Sequence, residues 1–150
     1  MSDAPVSPGR LTRVAAHALC VEGDRVLLVR LSSGLADGGR WTLPGGGLEW
    51  GEHPAEALRR ELYEETGLSG DVGAIAGVFS DTFRVGPTRE GDELHFLSVV
   101  YEVRPALGDL VHEADGSTDL AAWILLADAL GLPLVPLAHY GLDLIGSRSR

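Results

Sequence analysis

Cysteine is almost missing from this chain. Cys20 is the only one in 150 residues, so an internal disulfide is impossible, and its place in an apolar run reads as a small buried core residue. Basic residues are also scarce: twelve Lys and Arg stand against twenty-two Asp and Glu, a formal net charge of −10. General binding to a nucleic-acid backbone needs a positive footprint, so nucleic acid is not an expected partner. The opening MSDAPVSPGR lacks the apolar core of a secretory signal. The longest apolar stretch, residues 120–138, is interrupted by Asp128, Pro133 and Pro136, which argues against a membrane span. A cytoplasmic protein is therefore expected. The five histidines show no zinc-ligand spacing, and neither repeats nor low-complexity tracts occur.

What is present suits one compact domain that buries enough surface to need no staple. Residues 1–12, with Pro5, Pro8 and Gly9, read as a flexible lead-in to a domain over 13–150. Two β-rich runs, 14–21 and 25–31, surround Glu22-Gly23-Asp24 and predict a hairpin. A loop over 32–40 leads to a short strand at 41–43 and then to the run Gly45-Gly46-Gly47, where Gly46 and Gly47 allow a tight turn. The clearest helix follows. Pro54 suits a first turn and Gly67 a left-handed C-terminal position, while Ala55, Leu58, Leu62 and Thr66 recur at three- and four-residue spacing. Strands are expected near 74–83, 94–103 and 120–125, a helical turn near 127–130 and a last helix near 135–145. Strands alternating with helices indicate an α/β layered fold.

The helix carries the chemistry. Glu61, Glu64 and Glu65 stand three and four apart, so their carboxylates share one helix face. Each like-charged pair at that spacing costs roughly 0.2–0.5 kcal/mol, and the C-terminal half of a helix disfavours anions. A hard divalent cation such as Mg²⁺ removes the conflict. A plain solvated acidic face would explain neither the glycines nor the spaced Arg60.

Residues 46–68 read GGLEWGEHPAEALRRELYEETGL, which resembles the Nudix box, G-x5-E-x7-R-E-U-x-E-E-x-G-U with U aliphatic, at every defined position. The Trp41-x-Leu43-Pro44-Gly45-Gly46 lead-in and a strand centred on Trp123 are also similar to that family. The resemblance implies a Nudix-type α/β/α sandwich with a mixed sheet. It also implies Mg²⁺-dependent hydrolysis (Mn²⁺ able to substitute) of the diphosphate linkage in a nucleotide-like substrate. Glu64 and Glu65 would be the main metal ligands, Glu61 a further ligand or the base, and a backbone carbonyl near Gly46 part of the metal shell. Arg60, a fork-shaped donor beside Glu52 and Glu64, would orient those carboxylates, leaving Glu52 a supporting or metal-binding role.

Where relatives often carry a further acid, three residues before the strand's tryptophan, this chain has Leu120. Asp119 is the nearest replacement, with Glu113 and Asp115 in the preceding loop. For substrate contacts, Phe83 beside the 84–93 loop, Arg84 and Arg13 are the candidates, whereas His17, Trp41, Phe96, Trp123 and Tyr140 read as structural. Neither an SQPWPFPQS-like segment nor a proline at the ADP-ribose-hydrolase spacing is evident, Pro87 lying too far on, which leaves a nucleoside-triphosphate diphosphatase as the leading reading. The competing readings are a non-catalytic nucleotide sensor, whose usual degraded box is not found here, and an isopentenyl-diphosphate-type isomerase, for which Cys20 is the sole candidate thiol. Assembly as a homodimer is left open.

Overall fold

The computed structural model describes residues 9–84, 93–105, 108–113 and 116–148. Its longest pairing is parallel. Strand β1 (Arg10–Leu19) runs beside β7 (Glu93–Pro105) from Arg10↔Glu93 to Leu19↔Glu102. Strand β6 (Gly70–Arg84) pairs antiparallel with the far side of β7, and β5 (Gly45–Gly47) antiparallel with the free side of β1. The resulting mixed sheet has the order β5-β1-β7-β6. A second sheet centres on β3 (Arg25–Leu31), which pairs antiparallel with β8 (Thr118–Leu125), β2 (Val21–Glu22) and β4 (Trp41–Thr42).

Helices cover both sides of these strands. Helix α1 (Pro54–Thr66) places Leu58 and Leu62 against Ala16, Ala18, Cys20, Leu27 and Tyr101. The short α2 (Leu126–Ala129) leads to α3 (Pro136–Arg148), whose Leu137, Ala138 and Leu142 pack with Leu19, Val26, Leu28, Trp41, Leu43 and Val100. Alternation along β3 divides its residues between the two cores, Leu27 toward α1 and Val26 with Leu28 toward α3. A strand buried on both faces reads as a continuous apolar run, as this one does. The arrangement is an α/β fold with the strands between two helices. Among the described residues no helix is long and apolar enough to cross a membrane.

Three readings change in detail. The strand starting at residue 14 begins instead at Arg10, so Arg10, Leu11 and Thr12 belong to β1; residues 1–8 lie outside the described chain. The predicted hairpin is real but short. Only Val21 and Glu22 pair across the Gly23-Asp24 turn, where Gly23 has φ 60°, because the chain leaves the first sheet at Cys20 and enters the second. The glycine run, read as a tight turn, is strand β5. Gly45 takes φ 144°, and a side chain there would strike the backbone of Ala16 and His17.

The ends of α1 follow ordinary capping chemistry. His53 Nδ1 accepts the Ala55 N–H at 3.0 Å, and Gly67, at φ 75°, donates its N–H to the Tyr63 carbonyl at 2.9 Å. This fixes where the last turn, with its carboxylates, stops. Leu28 is wholly buried between the layers, so Leu28→Ala should cost about 2–5 kcal/mol of unfolding free energy. Urea denaturation of the purified variant checks this; a loss under about 1 kcal/mol would show that the α3-side core is not the main source of stability.

Candidate active site

The box acids of α1 lie in unlike surroundings. Glu64 is exposed, Glu61 half-buried, and Glu65 only 3% exposed. Burial pushes the Glu65 carboxyl up to about 9, the nearby charges of Glu61, Glu113 and Glu64 push the same way, and a 2.7 Å hydrogen bond from the Gly45 N–H opposes them. Glu61 is also raised, first by burial and then by Glu64 and Glu113, against the pull of Arg60.

Arg60 ties this corner together. Its Nε and Nη2 donate to the two oxygens of Glu52 at 3.0 and 2.8 Å, its Nη1 to Glu61 at 2.9 Å, and Nη2 also to the Gly47 carbonyl at 3.2 Å. Glu64 stands farther off, at 3.7 Å. The guanidinium therefore orients Glu52 and Glu61, where sequence reasoning had paired it with Glu52 and Glu64. The Arg60 bonds, helped by the Glu49 N–H, hold the Glu52 carboxyl down at about 2.

Strand β5 lets these groups reach the other side of the sheet. A Cβ at Gly46 would lie 2.6 Å from the Glu61 carboxyl carbon, so the bare strand makes room for that side chain. Glu61 and Glu65 then open, past the glycines, into a cleft of about 680 Å³. Its floor is the other face of the sheet, and its residues come at period two: Arg13, Ala15 and His17 from β1, Leu94 and Phe96 from β7, Phe79, Asp81 and Phe83 from β6. Val135, Pro136 and Leu137 at the start of α3 form part of the wall.

Of the residues singled out from sequence, the cleft brings together Gly46, Glu61, Glu65, Arg13 and Phe83. Glu52 and Arg60 brace it from behind. Arg84 ends β6 opposite Glu93 and does not line it. Asp119 is diverted: its carboxylate takes the Arg30 Nε–H at 2.8 Å, on β8. The loop acid whose charge bears on Glu61 and Glu65 is Glu113, held by the Thr118 hydroxyl at 3.0 Å. Asp115 and Pro87 lie outside the described residues. Sequence reasoning missed Phe79, Phe96 and Asp81 as cleft residues; the alternation at 79, 81 and 83 was legible, but not which face it belonged to. His17 also reaches the floor, though in a structural state. Its Nδ1 lies 2.7 Å from the Ser98 hydroxyl, and burial pushes its pKa down to about 3, so it is neutral.

Comparison with known proteins gives this arrangement its family. The family model for the NUDIX domain matches residues 10–142. The chain belongs to the Nudix family. A MutT-like protein of Streptomyces ambofaciens is 29% identical over 123 residues, covering 78% of this chain and 70% of that one. The human diphosphoinositol polyphosphate phosphohydrolase 3-alpha is 44% identical over 64 residues, covering 43% of this chain and 39% of its own length. Among solved structures, a MutT NUDIX hydrolase from Burkholderia pseudomallei superposes with a TM-score of 0.74 at 25% identity, covering 89% of this chain and 98% of that one. The NUDIX domain of Shewanella oneidensis NrtR, complexed with ADP ribose, shares the fold at a TM-score of 0.64 and 21% identity, over 95% of this chain and 90% of that one. The protein is thus a MutT-like Nudix hydrolase.

The donor set of this Nudix site fits a hard divalent cation. Glu65 is buried with acids for charged neighbours and one backbone N–H for a partner, a condition a cation relieves. Among the described residues no three acidic, His or Cys side chains converge as a ready-made cage. Arg60 holds Glu52 and Glu61, and the Gly45 N–H holds Glu65.

The raised Glu65 has a consequence for stability without metal. Its folded pKa, about 9, exceeds the unfolded value of about 4.3, so the folded state keeps a proton that the unfolded chain releases between those limits. That stabilisation is complete below pH about 4 and is lost as pH climbs toward 9. In EDTA, Tm should therefore fall from pH 5 to 9, and Glu65→Gln, neutral throughout, should flatten the fall. Equal slopes for the two proteins would show that Glu65 is ionised in the metal-free fold.

Proposed function

We propose that this Nudix hydrolase uses Mg²⁺, or Mn²⁺, to cleave the diphosphate linkage of a nucleoside diphosphate joined to a further group, with a nucleoside triphosphate as the leading case. One observation carries the reading: a single cleft has Glu61 and Glu65 at one side, with the Arg13 guanidinium beside Gly47, and an aromatic floor at the other. That is the layout of a substrate with a charged diphosphate and a flat, mostly apolar end.

Glu61, Glu64 and Glu65 would hold the cation, with a backbone carbonyl near Gly46 and, in place of Asp119, the Glu113 carboxylate. When bound, such a cation offsets the charge of the diphosphate and lowers the pKa of a water. Arg60 fixes Glu52 and Glu61 in one orientation, which removes reorganisation from the reaction step. Arg13, the one arginine lining the cleft among the described residues, meets the diphosphate. Water oxygen bonds to phosphorus, the bridging P–O bond breaks, the released phosphate oxygen keeps the electron pair, and a carboxylate of the site, Glu61 or Glu113, takes the water proton.

The identity to the diphosphoinositol phosphohydrolase favours a second reading, a diphosphorylated inositol. Such a substrate carries phosphates around its whole ring and calls for a cationic cluster. Among the described residues the cleft offers Arg13 together with Asp37 and Asp81, a composition that supports the nucleotide.

Hydrolysis should stop in EDTA and return with Mg²⁺ or Mn²⁺, followed as nucleoside monophosphate released from a nucleotide panel. Turnover that persists without metal defeats the mechanism. Glu65→Gln should lower kcat by about 10³-fold or more, the scale of losing a group that acts at the reacting centre. Glu113→Gln should lower kcat or Mg²⁺ affinity about 10- to 1,000-fold, whereas Asp119→Asn should stay within about twofold, as for an exposed ion pair. The reverse order would return the fourth acidic role to Asp119.

A further inference from the structure

The cleft floor holds a row of three side chains, of which hydrolysis of a diphosphate uses Arg13 and does not by itself require the other two. Arg13 on β1 and Asp81 on β6 both pair with Phe96 on β7. Residues paired across neighbouring strands present their side chains on one face, and all three line the cleft. Cation, aromatic ring and anion thus follow one another across the sheet. From β5, beside the box carboxylates, to β6 there are three strand spacings, roughly 14 Å, a span suited to a nucleoside diphosphate lying across the strands.

The elements of this row are held in place. Phe96 meets His17 and Phe79 edge-on, with centroids 6.1 and 6.3 Å away, so its ring is fixed. Phe83 follows one row farther out, opposite Leu94. Asp81 Oδ1 accepts the Thr82 N–H at 2.9 Å, which orients the carboxylate on a strand. Among the described residues it has no ion-pair partner, its second oxygen is not bonded, and the group is exposed to the cleft.

We infer that Asp81 selects the base of the substrate, taking one with two adjacent N–H donors, such as the imino–amino edge of guanine, while Phe96 and Phe83 stack against its plane. The inference rests on the nucleotide reading above. An ionised carboxylate only accepts, through two oxygens side by side, so its matched partner is a pair of parallel donors. Adenine and cytosine offer a donor beside an acceptor, which sets a lone pair against the carboxylate. Uracil offers one donor between two acceptors. An amide in the same place has one donor and one acceptor, and its match is the adenine or cytosine pattern. Asp37, the other cleft aspartate, lies in the 32–40 loop and serves as the control.

The test measures kcat/KM for GTP, ATP, CTP and UTP with Mg²⁺ in the parent, Asp81→Asn and Asp37→Asn proteins, with thermal melting to confirm folding. The parent should favour GTP. In Asp81→Asn the ratio of GTP to ATP or CTP should drop roughly 10- to 100-fold, the range of one bidentate contact to a base, carried by KM more than kcat, and Asp37→Asn should keep the parental order. An unchanged order in Asp81→Asn overturns the inference, as does a changed order in Asp37→Asn alone. An equal loss on all four nucleotides that disappears with their 2′-deoxy forms also overturns it, since Asp81 would then hold the sugar. If the parent cleaves none of the four, the nucleotide reading falls and this inference with it; if it cleaves them and Asp81→Asn keeps the parental order, this inference falls alone.

Discussion

The contacts of one guanidinium underlie the active corner. Arg60 reaches the loop before α1 through Glu52, its own helix through Glu61, and the edge strand through the Gly47 carbonyl. Three chain segments are thereby tied together through one side chain. A planar fork with five donors can do this, whereas an ammonium cannot cover the same acceptors at fixed angles. Without the guanidinium, Glu52 and Glu61 would face each other and Glu64 with no counter-charge. The bonds from Arg60 satisfy Glu52 and orient Glu61, and so set the side of the cleft that Glu61 lines.

The second requirement is room. An edge strand of ordinary residues would carry side chains on both faces, and those on the α1 side would occupy the place of the Glu61 carboxylate. Three glycines lower the intrinsic strand preference of the segment. The loss is offset by pairing along β1, by the Arg60 bond to Gly47 and by the Gly45 N–H bond to Glu65. Local propensity is sacrificed where the Glu61 carboxylate must pass, the kind of site at which local and global preferences are expected to conflict.

Glu65 shows the same trade in electrostatic form. A carboxyl that is buried, bordered by acids and bonded by one N–H is a poor contribution to stability. It would be a good contribution to a cation site, because binding would recover the energy that folding left unfavourable. His17 is the contrasting case on the same cleft: buried and bonded to Ser98, it is held neutral and serves as floor.

The sequence alone determined the helix, its carboxylate face and its ends, because caps and three-to-four spacing are local properties carried by Pro54, Gly67 and the glutamates themselves. It determined the apolar strands for the same reason, and β3, buried on both faces, was legible as an unbroken run. The residues 46–68 were enough to place the chain in its family. Which strands pair was not local. That β1 leaves the hairpin to run parallel with β7, from Arg10 beside Glu93 to Leu19 beside Glu102, depends on the whole sheet forming, and only then do Arg13, Phe96 and Asp81 stand in a row. The same holds for the loop acids: Asp119 is closer in sequence to the expected position, but strand β8 presents it to Arg30, while the charge of Glu113 bears on Glu61 and Glu65. Spacing along a chain specifies which side chains share a helix face, while contact between distant segments is decided by packing, register and the pairing of charges.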